Sequence, residues 1–212
     1  MHYILNIIRR IVRYLYRKKL KNNDFTLITN NCIGGIICHD LHLKFMSPTI
    51  NLYFTNDDFI LFCSNLKEYL SLELHEYKKH NKSFPVGLLS GSKGDVYIYF
   101  MHYNNFNEAK NKWDERKNRV NFDNIFIIME AQKSSEESLL QFNTIPYNNK
   151  VVLTDGRCPN IQKSFSIENN FYDNQYWPGK LLEYSKYGIK RYMDVFDYVY
   201  FFNSKKIRKR YV

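Results

Sequence analysis

Phe25-Thr26-Leu27-Ile28-Thr29, running straight into Asn30-Asn31-Cys32-Ile33-Gly34-Gly35, is the stretch on which the fold of this 212-residue chain turns. The first five residues read as a short apolar strand, and the small, polar, thiol-bearing residues after them read as the turn into a helix. In an open α/β sheet such turns lie at the carboxyl ends of the strands, where ligands bind. This turn is therefore the first candidate for a functional site.

The same alternation continues downstream. Residues 50–54 read as a second strand, and Thr55-Asn56-Asp57-Asp58 as the cap of a helix that buries Phe59, Ile60, Phe62, Cys63, Leu66, Tyr69 and Leu70. The paired aspartates complement a helix dipole better than they suit a metal. Residues 84–89 are extended and 90–95 rich in turn residues. Residues 96–101 read as a strand buried on both faces, which delivers His102 and Tyr103 at its end. A charged helix over 104–119, a strand over 125–129, a helix cap at Ser134-Ser135-Glu136-Glu137 and a strand over 150–154 follow. An aromatic, Asn-rich region containing Tyr176-Trp177-Pro178-Gly179 precedes a C-terminal helical segment. Strands alternating with helices at this spacing predict a single Rossmann-like, three-layer α/β domain with a mostly parallel sheet over 22–203.

Composition and charge narrow the function. With 44% apolar and 17% aromatic residues the chain has ample material for a core, which excludes a disordered protein. Its net charge of +10 sits at the ends: residues 1–21 carry seven Arg and Lys and no acid, and residues 204–212 carry five, leaving a near-neutral body. A nucleic-acid reader concentrates charge on its reading face, so no nucleic acid is expected as a partner. Residues 2–20 place Tyr3, Ile4, Ile7, Ile8, Ile11, Val12, Leu15 and Tyr16 at helical spacing against the Arg/Lys set, an amphipathic basic helix. It is too short in uncharged apolar residues to span a membrane and lacks the small-residue cleavage site of a leader. Two readings follow for 1–21: a helix lying on an anionic membrane surface, or a helix packed on the domain with a solvated basic side. Residues 204–212 form a basic tail. The four cysteines make no C-x-x-C pair, so a reducing cytoplasmic setting is expected, and Cys38, His39 and His42 fall short of a zinc set. No metal site is expected.

A parallel sheet would gather Asn30, Asn31, Cys32, Gly34 and Gly35 on one edge with His102, Tyr103, Glu130, Thr154 and Asp155. Gly34 and Gly35 would let a bound group approach the backbone, and the amides there could hold a phosphate or an oxyanion. The turn matches neither G-x-G-x-x-G nor a P-loop. Cys32 at a helix start becomes a nucleophile if His102 lies within reach; the alternatives are a packing cysteine, or His102 as a direct base on a sugar hydroxyl. Arg116 and Arg119 share a helix face with Trp113 and could clamp a phosphate; a solvated helix face is the other reading.

Taken together, these motifs resemble a family of bacterial exopolysaccharide or capsular polysaccharide biosynthesis proteins. The resemblance rests on 28–35, on Ser47-Pro48-Thr49, on Asp58-Phe59 with Asn65-Leu66 and Tyr69-Leu70, and on Phe84-Pro85-Val86-Gly87. It rests further on Met101-His102-Tyr103 with Glu108-Ala109 and Trp113, on Arg116 with Arg119-Val120-Asn121 and Asp123-Asn124, and on Pro146-Tyr147 with Lys150-Val151-Val152. It runs from about residue 25 to about 155, with Ile33 standing where an aromatic residue is expected. The resemblance implies a role in building or decorating a surface polysaccharide and supplies no reaction. The expectation is a cytoplasmic transferase, peripheral at the inner face of the plasma membrane. It would carry out sugar O-acyl transfer from acetyl-CoA, or else glycosyl transfer from a nucleotide sugar, to a sugar or lipid-linked saccharide acceptor. A non-enzymatic assembly component is the third possibility.

Overall fold

A computed structural model describes residues 2–131, 136–167 and 179–210. In chain order its elements are α1 (His2–Lys19), β1 (Thr26–Thr29), α2 (Ile33–Asp40), α3 (Asn56–Ser64), α4 (Leu66–Ser71), β2 (His75–Glu76), β3 (Val86–Gly91) and β4 (Gly94–Tyr99). These are followed by α5 (Phe106–Lys117), β5 (Ile125–Glu130), α6 (Glu136–Leu139), β6 (Lys150–Thr154), β7 (Ser164–Ser166) and α7 (Tyr198–Ser204).

The opening stretch does what its pattern predicts: β1 is buried throughout and α2 begins at Ile33. β1, β5, β6 and β7 form a parallel sheet in that order, with Thr26 opposite Ile125 and Ile127 opposite Lys150. Alternation along the strands gives each face its own core. Ile125, Ile127, Met129 and Val152 join the residues of α3, α4 and α5 on one face. Phe126, Ile128, Val151 and Leu153 join Ile33, Ile37 and the α7 aromatics on the other.

Two expectations need correction. The strand at 96–101 is not part of the parallel sheet. It is β4, which pairs antiparallel with β3 across a tight turn at Gly91 and Gly94, in a separate sheet ordered β2-β3-β4. The turn-rich 90–95 residues close a hairpin, and β4 buries Val96 and Ile98 while Tyr97 and Tyr99 are half-exposed. Residues 50–54 contribute only an isolated bridge, Tyr53 to Tyr99. The four parallel strands follow one another in one direction, so among the described residues the order does not reverse in the way that opens a switch-point crevice.

Local capping agrees with the sequence. Thr55 Oγ1 accepts from Asp58 N–H (3.2 Å) and donates to Asp58 Oδ2 (2.6 Å), so the aspartate pair opens α3, and Asn105 caps α5 in the same manner. Ser134, Ser135, Tyr176, Trp177 and Pro178 lie outside the described residues.

α1 packs on the domain through a face that carries arginines. Arg9 Nε donates to Gly188 O (2.7 Å) and its guanidinium stacks 3.7 Å over Tyr184, while Arg13 donates to Tyr184 OH (2.7 Å). Arg13 Nε lies 3.0 Å from Asp40 Oδ1, and Arg191 pairs with the same buried carboxylate. Two arginines therefore face the protein, and an apolar ridge faces out: Ile4 is 62%, Ile7 40%, Ile11 54% and Leu15 50% exposed. The basic tail also folds back, Arg208 donating to Asp197 Oδ2 (2.7 and 2.9 Å). No described helix is long and apolar enough to cross a membrane.

Candidate active site at the carboxyl edge of the parallel sheet

β1 and β5 are adjacent and parallel, so Asn30 and Glu130 emerge from the same edge. Asn30 uses its side chain as a backbone surrogate: Nδ2 donates to Glu130 O (2.8 Å) and Oδ1 accepts from Glu130 N–H (2.9 Å), carrying the pairing past the last residues of the ladder. Asn31 turns the other way. Its Oδ1 accepts from Ile33 N–H (3.0 Å) at the start of α2, and its Nδ2 donates to Glu130 Oε2.

Glu130 is fully buried, and its other bonds come from the Gly179 N–H (3.2 Å to Oε2) and the Leu181 N–H (3.4 Å to Oε1). Burial pushes its carboxyl up to about 7, against the opposing pull of the bonds from Asn31, Leu181 and Gly179. A carboxyl in that range takes up and releases a proton at neutral pH, as a general acid or base must. Cys32 is half-buried at the first turn of α2, and burial, together with the nearby Glu130 charge, raises its thiol to about 11. A thiol so placed stays protonated at neutral pH and needs a base to attack.

Of the two glycines, Gly34 is the one that packing requires. A Cβ on Gly34 would stand 2.6 Å from Thr29 Oγ1, so Gly34 lets α2 close onto the end of β1, and its N–H is already taken by Thr29 Oγ1 (3.2 Å). Gly35 has ordinary contact distances to Asn51 and Ile50.

The remaining sequence candidates come from the antiparallel sheet and α5, and Tyr103 with Arg116 reaches the turn only through Ile50, which lies against Gly35. His102 is exposed in the turn after β4 and is brought there by the antiparallel sheet, so the common-edge argument does not apply to it. Tyr103 is buried; its OH donates to Ile50 O (3.1 Å) and accepts from Arg116 (2.9 Å), a strap from α5 to the 45–50 segment. Arg119 donates to Phe45 O (3.3 Å) and pairs with Glu115. The neighbouring Met46 O is bonded by Thr26, which sets Arg119 toward the amino end of β1. Both arginines are thus occupied by protein groups. Glu130 was the residue whose weight the sequence understated, and its signal is an acid closing an otherwise apolar strand. Asp40, at the end of apolar α2, carries a similar signal; its partner Arg191 has none. The described residues hold no cluster of His, Cys, Asp or Glu able to bind a metal, and all four cysteines are free.

The fold and this edge define an α/β protein with a parallel sheet, a second antiparallel sheet and a buried carboxyl near a cysteine. Residues 3–203 match the family described as "Domain of unknown function (DUF1919)", and the chain belongs to that family. It is 37% identical over 196 residues to an uncharacterized protein of Haemophilus influenzae (strain ATCC 51907 / DSM 11121 / KW20 / Rd), covering 92% of each chain.

Proposed function

We propose that the protein is a transferase of surface-polysaccharide assembly that works against an anionic membrane surface and moves an acyl group onto a sugar hydroxyl. The observation that carries the chemistry is Glu130, a buried carboxyl tuned to about 7 at the sheet edge where Cys32 is half-exposed. In this reading Cys32 Sγ attacks the carbonyl of an acyl-CoA thioester as Glu130 takes the thiol proton, and coenzyme A leaves as its thiol with that proton. The acyl-cysteine is then attacked by a sugar hydroxyl, whose proton passes to Glu130 and on to the departing Cys32 sulfur. Glu130 replaces His102 as the base. Glycosyl transfer is less well supported, because Arg116, Arg119 and the Gly34 amide, the intended holders of a pyrophosphate, already have partners. The outward apolar ridge of α1, flanked by Arg10, Lys18 and Lys19, supports the membrane surface.

The test is polymer chemistry in cells carrying Glu130→Gln or Cys32→Ser, each checked for folding by circular dichroism. Acyl content of the polysaccharide should fall by roughly 10²–10⁴ in transfer rate for Glu130→Gln, with the sugar backbone intact. Unchanged acylation in both variants would refute the enzyme, and a thermal shift of the protein by nucleotide sugars but not by acetyl-CoA would overturn the choice of donor.

A further inference from the structure

Beneath α1 runs a groove of about 390 Å³ that the chemistry at the sheet edge does not use. One wall is apolar, from Val12, Leu15 and Val199, and the polar side carries Lys19, Lys190, Arg208 and Arg210 with a single acid, Asp197. Arg210 is the unusual member. Its side chain is only 7% exposed, its guanidinium is stacked 3.8 Å from the Tyr16 ring and 4.4 Å from the Tyr198 ring, and its nitrogens interact with the Tyr16 and Tyr198 hydroxyls without a hydrogen bond of normal geometry among the described residues. Its nearest carboxylate, Asp197 Oδ1, is 3.6 Å away and Asp197 is already engaged by Arg208. A buried guanidinium whose neighbours are two tyrosines and a shared carboxylate at 3.6 Å keeps hydrogen-bonding capacity that suits a phosphate oxygen.

The groove is continuous with the outward ridge of α1, since Leu15 belongs to both. We infer that this groove binds one anionic glycerophospholipid, its phosphate on Arg210 and Lys190 and part of an acyl chain along Val12, Leu15 and Val199. The inference rests on the membrane reading of α1 for the source of its ligand. Charge and shape both favour this occupant: the rim has more cations than acids, and the wall is built for hydrocarbon.

The full-length protein is assayed two ways: thermal shift with monomeric dihexanoyl phosphatidylglycerol, dihexanoyl phosphatidylcholine or inorganic phosphate, and co-sedimentation with phosphatidylcholine vesicles with and without phosphatidylglycerol. Short-chain phosphatidylglycerol should stabilise the protein, and phosphatidylcholine and phosphate should not. Arg210→Gln should abolish the shift. Because Arg210 is packed between two rings, Lys190→Gln, at the half-exposed rim, provides the variant expected to fold normally and still lose most of the shift. Ile7→Glu with Ile11→Glu should lose vesicle binding and keep the short-chain shift. A shift of equal size with phosphate alone would reduce the groove to a simple anion site and overturn the inference. Vesicle binding with no short-chain shift would overturn the groove while leaving the membrane reading in place. Failure of the parent protein to bind anionic vesicles would defeat the membrane reading and the lipid source together.

Discussion

A methyl group at position 34 would meet Thr29 Oγ1 at 2.6 Å, inside any real contact, and Thr29 Oγ1 is already fixed by bonds to Asn31 O and Gly34 N–H. Gly34→Ala is therefore expected to push α2 off β1 and cost about 1–3 kcal/mol. At position 35 the added methyl would sit 3.4 Å from Asn51 and 3.5 Å from Ile50, and alanine favours a helix over glycine by about 1 kcal/mol. Gly35→Ala should be neutral or stabilising. Urea unfolding of the two variants checks the pair; equal effects would mean that the turn does not pack as described. The Gly-Gly pair itself was legible in the sequence, but its reason was not. A glycine needed for a ligand and one needed for a neighbouring threonine look alike until the helix is placed on the strand.

At the level of elements, α1 is held by a carboxylate whose second partner, Arg191, no spacing in the sequence marks. Asp40 is 2% exposed at its side chain and lies between Arg13 of α1 and Arg191, so removing it leaves the buried Arg191 and the partly exposed Arg13 without their shared carboxylate. Asp40→Ala is expected to destabilise by about 3–5 kcal/mol and to speed amide exchange in α1 more than in β5. Uniform loss of protection would show that α1 and the sheet open together. The apolar-basic helix was visible in the spacing of residues 2–20, yet the face it presents was not. Periodicity reports that two faces differ, and which one meets the domain depends on Asp40, Tyr184 and Gly188, residues far along the chain. The same limit explains β4: an apolar run reads alike in a parallel strand and a hairpin, and the decision lies in the Gly91–Gly94 turn and its partner strand.

For the whole molecule, Glu130 ties stability to pH. Its carboxyl lies at about 7 in the fold against an ordinary 4.5, so between those values the native state holds a proton that the unfolded chain has released. Stability from this group is present at low pH and is lost as pH rises through 7, by on the order of 3 kcal/mol. Melting followed from about pH 5 to about pH 8 should show a falling midpoint in the parent and a flatter one in Glu130→Gln; parallel curves would mean that the carboxyl is ionised throughout. Burial also raises Asp58 and Asp194, so the difference between variant and parent is the quantity to read. The stitching of α1 to late residues has a consequence for synthesis. Arg13 and Arg9 bond groups 171 and 179 positions further on, and Asn203 accepts from Lys21 N–H and donates to Lys19 O. On the ribosome α1 emerges well before any of those partners exists, so its docking is among the final acts of folding. A surface that recruits the helix can hold the nascent chain before its domain has closed.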